Sequence, residues 1–174
     1  MSLFAIIAVV LLLVIGIVLL VFLFFNTYGF FTGAPFAATP STIIDSLFSL
    51  VDITEKDVVY DLGSGDGRVL IAAANKGAKS IGWEINLPLY YYSLRQLKRS
   101  KINHKVTIHY GNFWNKKLSD ATVIFAFLLP EYMDRLEKKI RREVSPGVRV
   151  VTYLAKLPNS KPIAEKDGLT VYKF

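Results

Sequence analysis

A long run of apolar residues opens the chain. Leu3 to Phe25 are 23 residues with neither a charge nor a polar side chain. As a helix this run is roughly 35 Å long at ~1.5 Å per residue, which exceeds the ~30 Å hydrocarbon core of a bilayer. A cleaved signal peptide is the alternative, but it typically has a basic start and an apolar run of about 7–15 residues, and this segment has neither. The pattern therefore predicts a single transmembrane anchor over residues 1–25.

Beyond residue 25 the hydrophobic pattern alternates between the periods of helices and strands. Residues 26–39, rich in Gly, Ala and aromatic side chains, are expected to form a linker, and residues 40–174 one domain. After a first helix we expect strand 57–62, helix 66–76, strand 79–84, helix 88–100, strand 105–110, strand 121–129, helix 131–143 and strand 148–156. This alternation predicts an α/β fold with a parallel sheet. Residues 111–120 leave room for a loop or one turn only, and Asp167-Gly168 indicates a closing hairpin.

A glycine-rich turn follows the first predicted strand, in the sequence VVYDLGSGDGRV. Glycines at a strand-to-helix turn let the backbone approach a ligand where a Cβ would collide. A dinucleotide fingerprint requires a small residue where Arg68 stands, and two acids in the turn suit a positively charged ligand better than a pyrophosphate. The turn therefore predicts an S-adenosylmethionine site formed by Asp61, Leu62, Gly63, Ser64, Gly65, Asp66 and Gly67.

Two further polar positions lie at the ends of the next strands. Glu84 ends the second strand, where a carboxylate can accept hydrogen bonds from both ribose hydroxyls. Asn112 and Phe113 follow the third strand, where a short polar residue and a ring can contact the edge and face of an adenine. Because ligands of doubly wound sheets bind at the carboxyl ends of the strands, the three signals together indicate one cofactor site.

Charge and composition narrow the possible partners and compartments. The net charge of +7 lies entirely beyond the apolar run, with basic clusters near residues 95–105 and 138–142. We expect contact with a membrane surface rather than with nucleic acid. No Lys or Arg precedes the anchor, which favours a cytoplasmic catalytic domain. The chain has no cysteine, and its two histidines lack metal-ligand spacing, so neither a disulfide nor a metal site is expected.

Several segments together resemble one known family. They are the GAPF…TP segment, the YDLGSGDGR turn, the GWEIN strand end, the GNFW loop and VIFAFLLPEYMDRLEKKIRRE. From about Gly33 onwards the chain resembles the class I, seven-β-strand protein-lysine methyltransferases that modify the mitochondrial adenine nucleotide translocase and the ATP synthase c subunit. The resemblance implies a Rossmann-like methyltransferase sheet in which Asp61, Gly63 and Gly65 hold the methionine end of S-adenosylmethionine. It further implies that Glu84 holds the ribose and that Asn112 and Phe113 meet the adenine.

The chain also departs from that family. Many class I enzymes have an aspartate where Asn112 stands. No helix fits between Lys156 and Pro162, so we expect a sheet trimmed at its C-terminal end. An Arg-rich amphipathic leader is missing from this sequence, so the compartment and the substrate of the metazoan members do not carry over.

The acceptor side of the site is less clearly marked than the cofactor side. Glu131 and Tyr132, after the fourth strand, are the candidates near the acceptor, with a helix N-terminal charge and a packing aromatic as the competing interpretation. Phe30, Phe31 and Phe36 are candidates to line a lysine channel, whereas Tyr90–Tyr92 are expected to pack on the sheet or touch lipid headgroups. Three hypotheses remain open: a methyltransferase for lysines of a membrane protein, one for a lipid-soluble small molecule, and a non-catalytic cofactor-binding module.

Overall fold

The computed structural model describes residues 2–32, 37–100 and 102–174. Its first element is helix α1 (Leu3–Thr32). The stretch Leu3–Phe24 has a mean hydropathy of 3.7 and buries none of its residues, so it is long and apolar enough to cross a membrane. The helix continues seven residues past the predicted anchor, so residues 26–32 are helical and the linker expected over 26–39 is wrong at that end. Phe36 lies outside the described residues, as do the side chains of Phe30 and Phe31.

The body is a seven-stranded sheet in the order β3-β2-β1-β4-β5-β7-β6. The first five strands run parallel, and β7 is antiparallel to both β5 and β6. The strands are β1 (Val58–Leu62), β2 (Lys79–Glu84), β3 (Val106–Tyr110), β4 (Val123–Ala126), β5 (Arg149–Tyr153), β6 (Ala164–Lys166) and β7 (Leu169–Lys173). The helices of the body are α2 (Ser41–Leu50), α3 (Arg68–Asn75), α4 (Leu87–Arg99) and α5 (Met133–Glu143).

Both faces of the sheet are buried because each strand contributes side chains to them alternately. In β1, Tyr60 and Leu62 pack with the residues of α5, whereas Val59 packs with α2 and α3. Asp61 falls on the same side of the strand as Val59. The pattern thus places a carboxylate at the end of the central strand, among apolar neighbours.

The sheet is not trimmed in its strands, and the expectation that it would be is wrong in that respect. The predicted hairpin supplies β6 and β7, which complete seven strands. Residues 154–163, between β5 and β6, contain no helix, as expected. Between β3 and β4 there is only a 3₁₀ turn, Phe113–Asn115, which confirms that this crossover is too short for a full helix.

Loop 154–163 is held in place by a buried glutamate on α5. Glu137 is 1 % exposed and accepts hydrogen bonds from the Ser160 hydroxyl at 2.6 Å and the Asn159 backbone N–H at 2.8 Å. Its i,i+4 partner Arg141 donates to the same carboxylate at 2.7 Å. The i,i+4 charge pairs of α5 predicted a fully solvated face, but this pair fastens the loop to the helix instead.

Candidate cofactor-binding and active site

The glycine-rich turn joins β1 to α3 and packs tightly on β2. The backbone N–H groups of Gly63 and Ser64 donate to the Trp83 carbonyl at 3.1 and 2.9 Å. Gly67 caps α3 with φ +81°, a left-handed conformation that glycine adopts without strain. Opposite the turn, a Cβ on Gly82 would lie 2.5 Å from the Leu70 Cδ1 and 2.7 Å from the Ser64 Cβ. Glycine in the neighbouring strand therefore lets the turn approach the sheet.

Asp61 is the most perturbed group of the site. Its side chain is 3 % exposed, and no residue that the structure describes gives it a hydrogen bond within 3.5 Å. Burial, together with the negative charges of Glu84 and Asp66, raises the pKa of Asp61 to about 8. A buried carboxyl without a partner fits a ligand that brings a positive charge and N–H donors.

Glu84 connects the turn to the start of α4. One carboxylate oxygen accepts from the Gly65 N–H at 2.7 Å, and the other accepts from the Asn86 N–H at 2.6 Å. Burial raises the pKa of Glu84, although hydrogen bonds from Asn86, Gly65 and Ile85 oppose the change. The predicted ribose-binding residue is thus fixed beside the turn, at the same edge of the sheet as Asp61.

Asn112 and Phe113 lie in a small cleft that Glu84 also lines. The Asn112 Oδ1 accepts from the Trp114 N–H at 2.9 Å, which fixes the side chain at the start of the 3₁₀ turn. Phe113 is 4 % exposed and packs on Trp114 with ring centroids 4.6 Å apart. The cleft is formed by Gly63, Trp83, Glu84, Ile85, Gly111, Asn112 and Phe113. The loop after β3 therefore borders the same site as the turn after β1 and the end of β2.

A family assignment decides what this edge of the sheet binds. The ANTKMT methyltransferase domain family matches residues 61–164, which contain the turn, Glu84 and the loop after β3. The chain belongs to the ANTKMT methyltransferase domain family. It is an S-adenosylmethionine-dependent methyltransferase, as both the turn and the resemblance predicted.

Three relatives of this methyltransferase illustrate the family. A protein-lysine N-methyltransferase of Saccharolobus islandicus is 34 % identical over 148 residues, 80 % of this chain and 92 % of that protein. The lysine N-methyltransferase of the ATP synthase c subunit from Xenopus laevis is 30 % identical over 74 % of this chain, which spans 56 % of the longer vertebrate protein. An RNA methyltransferase from Salinibacter ruber, solved with S-adenosyl-L-homocysteine, superimposes with a TM-score of 0.74 at 33 % identity, covering 79 % of this chain and 92 % of that one.

The acceptor candidates of the methyltransferase follow β4 in a 3₁₀ turn, Pro130–Tyr132. Glu131 is exposed, and Tyr132 is half-buried with its ring 6.3 Å from that of Trp114. Arg135, one turn further on, lies over Trp114 at 4.2 Å rather than against Glu131. The structure thus places both predicted residues at the correct edge of the sheet, and their roles stay a prediction.

Sequence reasoning used Arg68 only to exclude a dinucleotide, but the structure gives this residue a structural role. Its guanidinium pairs with Asp66 at 2.5 Å and donates to the Thr39 carbonyl at 3.0 Å. Arg68 therefore fastens the segment before α2 to the cofactor turn. The i,i+2 acid–base pair was visible in the sequence, but the contact with Thr39, 29 residues away, was not.

Proposed function

We propose that this methyltransferase is a membrane-anchored protein-lysine N-methyltransferase that acts on a membrane protein. The observation that supports a lysine acceptor best is the 34 % identity to a protein-lysine N-methyltransferase over 92 % of that protein. The support for an anchor is α1, whose first 22 residues are apolar on every side, with none of them buried. A helix of that kind is stable in lipid and not in water.

The cofactor-binding roles proposed for this chain follow from the chemistry of each group. S-adenosylmethionine supplies an activated methyl group on a sulfonium. Asp61 meets the ammonium of the methionine end, and Glu84 accepts from the ribose hydroxyls while keeping the turn in place. Asn112 and Phe113 contact the adenine in the cleft after β3. Leu62 and Ser64 shape the turn through their backbone.

Methyl transfer to an amine requires alignment and a neutral nucleophile. A lysine Nζ must lose its proton before it can attack, and a dry, apolar acceptor site lowers the pKa of the lysine and favours the neutral amine. Holding the amine in line with the methyl group accounts for much of the rate, because both reactants are already positioned. Glu131 and Tyr132 are proposed to lie beside the acceptor and to orient it.

The proposed location is a single-pass membrane protein with its catalytic domain in the cytoplasm. All 21 Lys and Arg residues follow α1, and none precedes it. A positive flank favours the cytoplasmic side. Cytoplasmic S-adenosylmethionine then reaches the cofactor edge directly.

The test is a methyl-transfer assay with the full chain in lipid vesicles, tritiated S-adenosylmethionine and membranes from a source cell that lacks the protein. After the reaction, the label is separated into protein, RNA and lipid-extractable fractions. Methyl-lysine in an acid hydrolysate of a discrete protein band supports the proposal. Asp61→Asn, which keeps the size of the side chain and removes its charge, is the matched control and should lower incorporation at subsaturating cofactor.

RNA is the second candidate acceptor because the Salinibacter ruber protein, 33 % identical, is an RNA methyltransferase. Label that is released by ribonuclease and absent from the hydrolysed protein would favour RNA and contradict the lysine proposal. Label confined to the lipid extract would instead favour a lipid-soluble small molecule.

A further inference from the structure

The chain between Glu84 and Asp120 contains no acidic residue. These 35 residues include seven Lys and Arg side chains, and they supply α4, β3 and the loop that borders the cofactor cleft. Three of the basic side chains, Arg95, Lys98 and Arg99, are exposed along α4. A surface of one charge sign attracts partners of the opposite sign and repels basic ones.

Exposed aromatic rings lie at the cofactor end of the same region. Outside α1, the described residues include five large hydrophobic side chains that are exposed, and three of these are Tyr91, Tyr92 and Tyr110. Tyr91 is 63 % exposed, and the other two are each 50 % exposed. Tyr90 joins them, with its ring centroid 5.4 Å from that of Tyr91 and 5.7 Å from that of Tyr110. We name these four residues the tyrosine patch.

The patch and the basic residues have a fixed order relative to the sheet. Tyr91 and Tyr92 are in the first turns of α4, which starts after β2 at the carboxyl edge, where the cofactor residues lie. Lys98 follows Tyr91 by seven positions, roughly 10 Å further from that edge at ~1.5 Å per residue. Tyrosine prefers the boundary between hydrocarbon and headgroups, and Lys and Arg prefer the phosphate layer just outside it. The order of the residues on α4 matches the order of these layers when the carboxyl edge faces a bilayer.

The connection to α1 brings that same edge to the end of the anchor. Thr39 is held by Arg68, and only residues 33–38 separate it from Thr32 at the end of α1. Seven Cα steps span at most about 25 Å. The hydrogen bond and charge of Asp66 raise the pKa of Arg68, and the Tyr92 hydroxyl adds to this effect, so Arg68 lies between Thr39 and the tyrosine patch. The chain therefore leaves α1 towards the edge that carries the patch.

We propose that the tyrosine patch and the exposed basic face of α4 form a docking surface for an anionic lipid bilayer, with the cofactor edge of the sheet facing the membrane. The proposal rests on the anchoring proposed above. It adds an orientation: the acceptor lysine lies at the membrane surface, directly below the carboxyl ends of the strands. An acidic protein is the competing partner, but it requires neither the tyrosines nor the short connection to α1.

The absence of cysteine allows single probes to be placed by substitution. A cysteine that replaces Tyr91 reports on the patch, and one that replaces Thr107, exposed near the opposite end of the sheet, is the matched control. A third, at Val10, reports on α1. Each full-length variant carries an environment-sensitive fluorophore in vesicles of phosphatidylcholine with about 30 % phosphatidylglycerol, with and without nitroxide-labelled lipid.

We expect the nitroxide lipid to dim the probes at Val10 and Tyr91 by about twofold or more, because groups buried in the headgroup region lie within reach of it. The probe at Thr107 should keep its intensity. Dimming at Val10 with equal intensities at Tyr91 and Thr107 would overturn the docking surface and leave the anchor intact. An undimmed probe at Val10 would contradict the anchor itself. Dimming at Tyr91 that requires membrane proteins of the source cell would assign the surface to a protein partner and overturn the proposal.

A charge test separates lipid headgroups from apolar contact alone. Replacement of three basic residues on α4 by glutamine should return the dimming at Tyr91 to the level seen in pure phosphatidylcholine, as should high salt. The substitutions are Arg95→Gln, Lys98→Gln and Arg99→Gln, and the matched control at the amino edge of the sheet is Lys56→Gln, Lys76→Gln and Lys79→Gln. Equal effects of the two triple variants would contradict a specific role for α4.

Discussion

Cofactor binding to this methyltransferase should release a proton from Asp61. The carboxyl is protonated in the free protein because burial and two neighbouring acids raise its pKa to about 8. A bound ammonium favours the ionised form, so the proton must leave when the cofactor arrives. The perturbation that tests this is Asp61→Asn, which removes the titration and keeps the shape of the side chain.

The size of the effect follows from the pKa. At pH 6 a carboxyl with a pKa of about 8 is ionised in about one molecule in a hundred, and at pH 7 in about one in ten. If the cofactor binds the ionised form, its association constant rises about tenfold for each pH unit between 5 and 7. Above pH 7 the α-amino group of the cofactor, with an ordinary pKa of about 8, begins to lose its own proton. The rise therefore levels off near pH 8.

The assay is titration calorimetry at pH 6 in two buffers that differ in their enthalpy of ionisation. We expect the release of about one proton for each cofactor bound by the unmodified protein, and close to none for Asp61→Asn. Glu84→Gln removes one of the negative charges that raise the pKa of Asp61, so its tenfold rise should end at a lower pH. An association constant that is flat from pH 5 to 7, with no proton released, would refute the reasoning.

The same group has an opposite effect on folding stability. A carboxyl whose pKa is raised in the folded state stabilises the fold most at low pH, and this contribution is lost as the pH rises from about 4 to 8. The loss is on the order of 5 kcal/mol if the carboxyl ionises with no compensation. Asp61→Asn should therefore unfold at a higher temperature than the unmodified protein at pH 8, while binding cofactor more weakly. Stability is given up at this position for the sake of binding.

Three further outcomes are expected. Gly82→Ala puts a Cβ within 2.7 Å of the Ser64 Cβ, so it should cost about 1–3 kcal/mol in a denaturant melt and weaken cofactor binding; Ser80→Ala, on the same strand, removes a buried hydroxyl without a partner among the described residues and should be neutral or stabilising, and similar losses in both would contradict the steric argument. Glu137→Gln should cost about 2 kcal/mol at pH 7 because it removes the charge that Ser160, Asn159 and Arg141 bond to. Burial alone would raise the pKa of Glu137, but those hydrogen bonds lower it, so this stabilisation is present above pH ~4.5 and lost as the pH falls below it, and a variant melt parallel to the unmodified one from pH 7 to 3 would contradict it.

The parts of the fold that the sequence predicted correctly rest on local patterns. The glycine turn, the acid at the end of β2 and the single turn after β3 are each specified within about a dozen residues. Parallel topology then brings the three segments to one edge, because the carboxyl ends of parallel strands meet there. Asp61, Gly65 and Glu84 were therefore identifiable before any coordinates.

The features that were missed depend on contacts between distant segments. The charge pattern of α5 is the same for a solvated face and for one glutamate that is buried by a loop twenty-odd residues away, so Glu137 looked ordinary. The sheet looked trimmed because a missing helix was taken to imply missing strands. Instead, the Tyr172 hydroxyl accepts from the Leu157 N–H at 3.0 Å, and Glu137 holds the other end of the loop. Two such contacts fix a loop that has no helix of its own.

The short connection between α1 and Thr39 has a consequence for how acceptors are selected. A catalytic edge kept within about 25 Å of its anchor encounters membrane proteins by lateral diffusion, at effective concentrations that reach the millimolar range. An acceptor embedded in the same bilayer then needs little affinity of its own for the enzyme. The depth of a lysine relative to the membrane surface would thus contribute to selectivity alongside the residues that flank it, and a soluble protein with the same flanking residues would be methylated slowly.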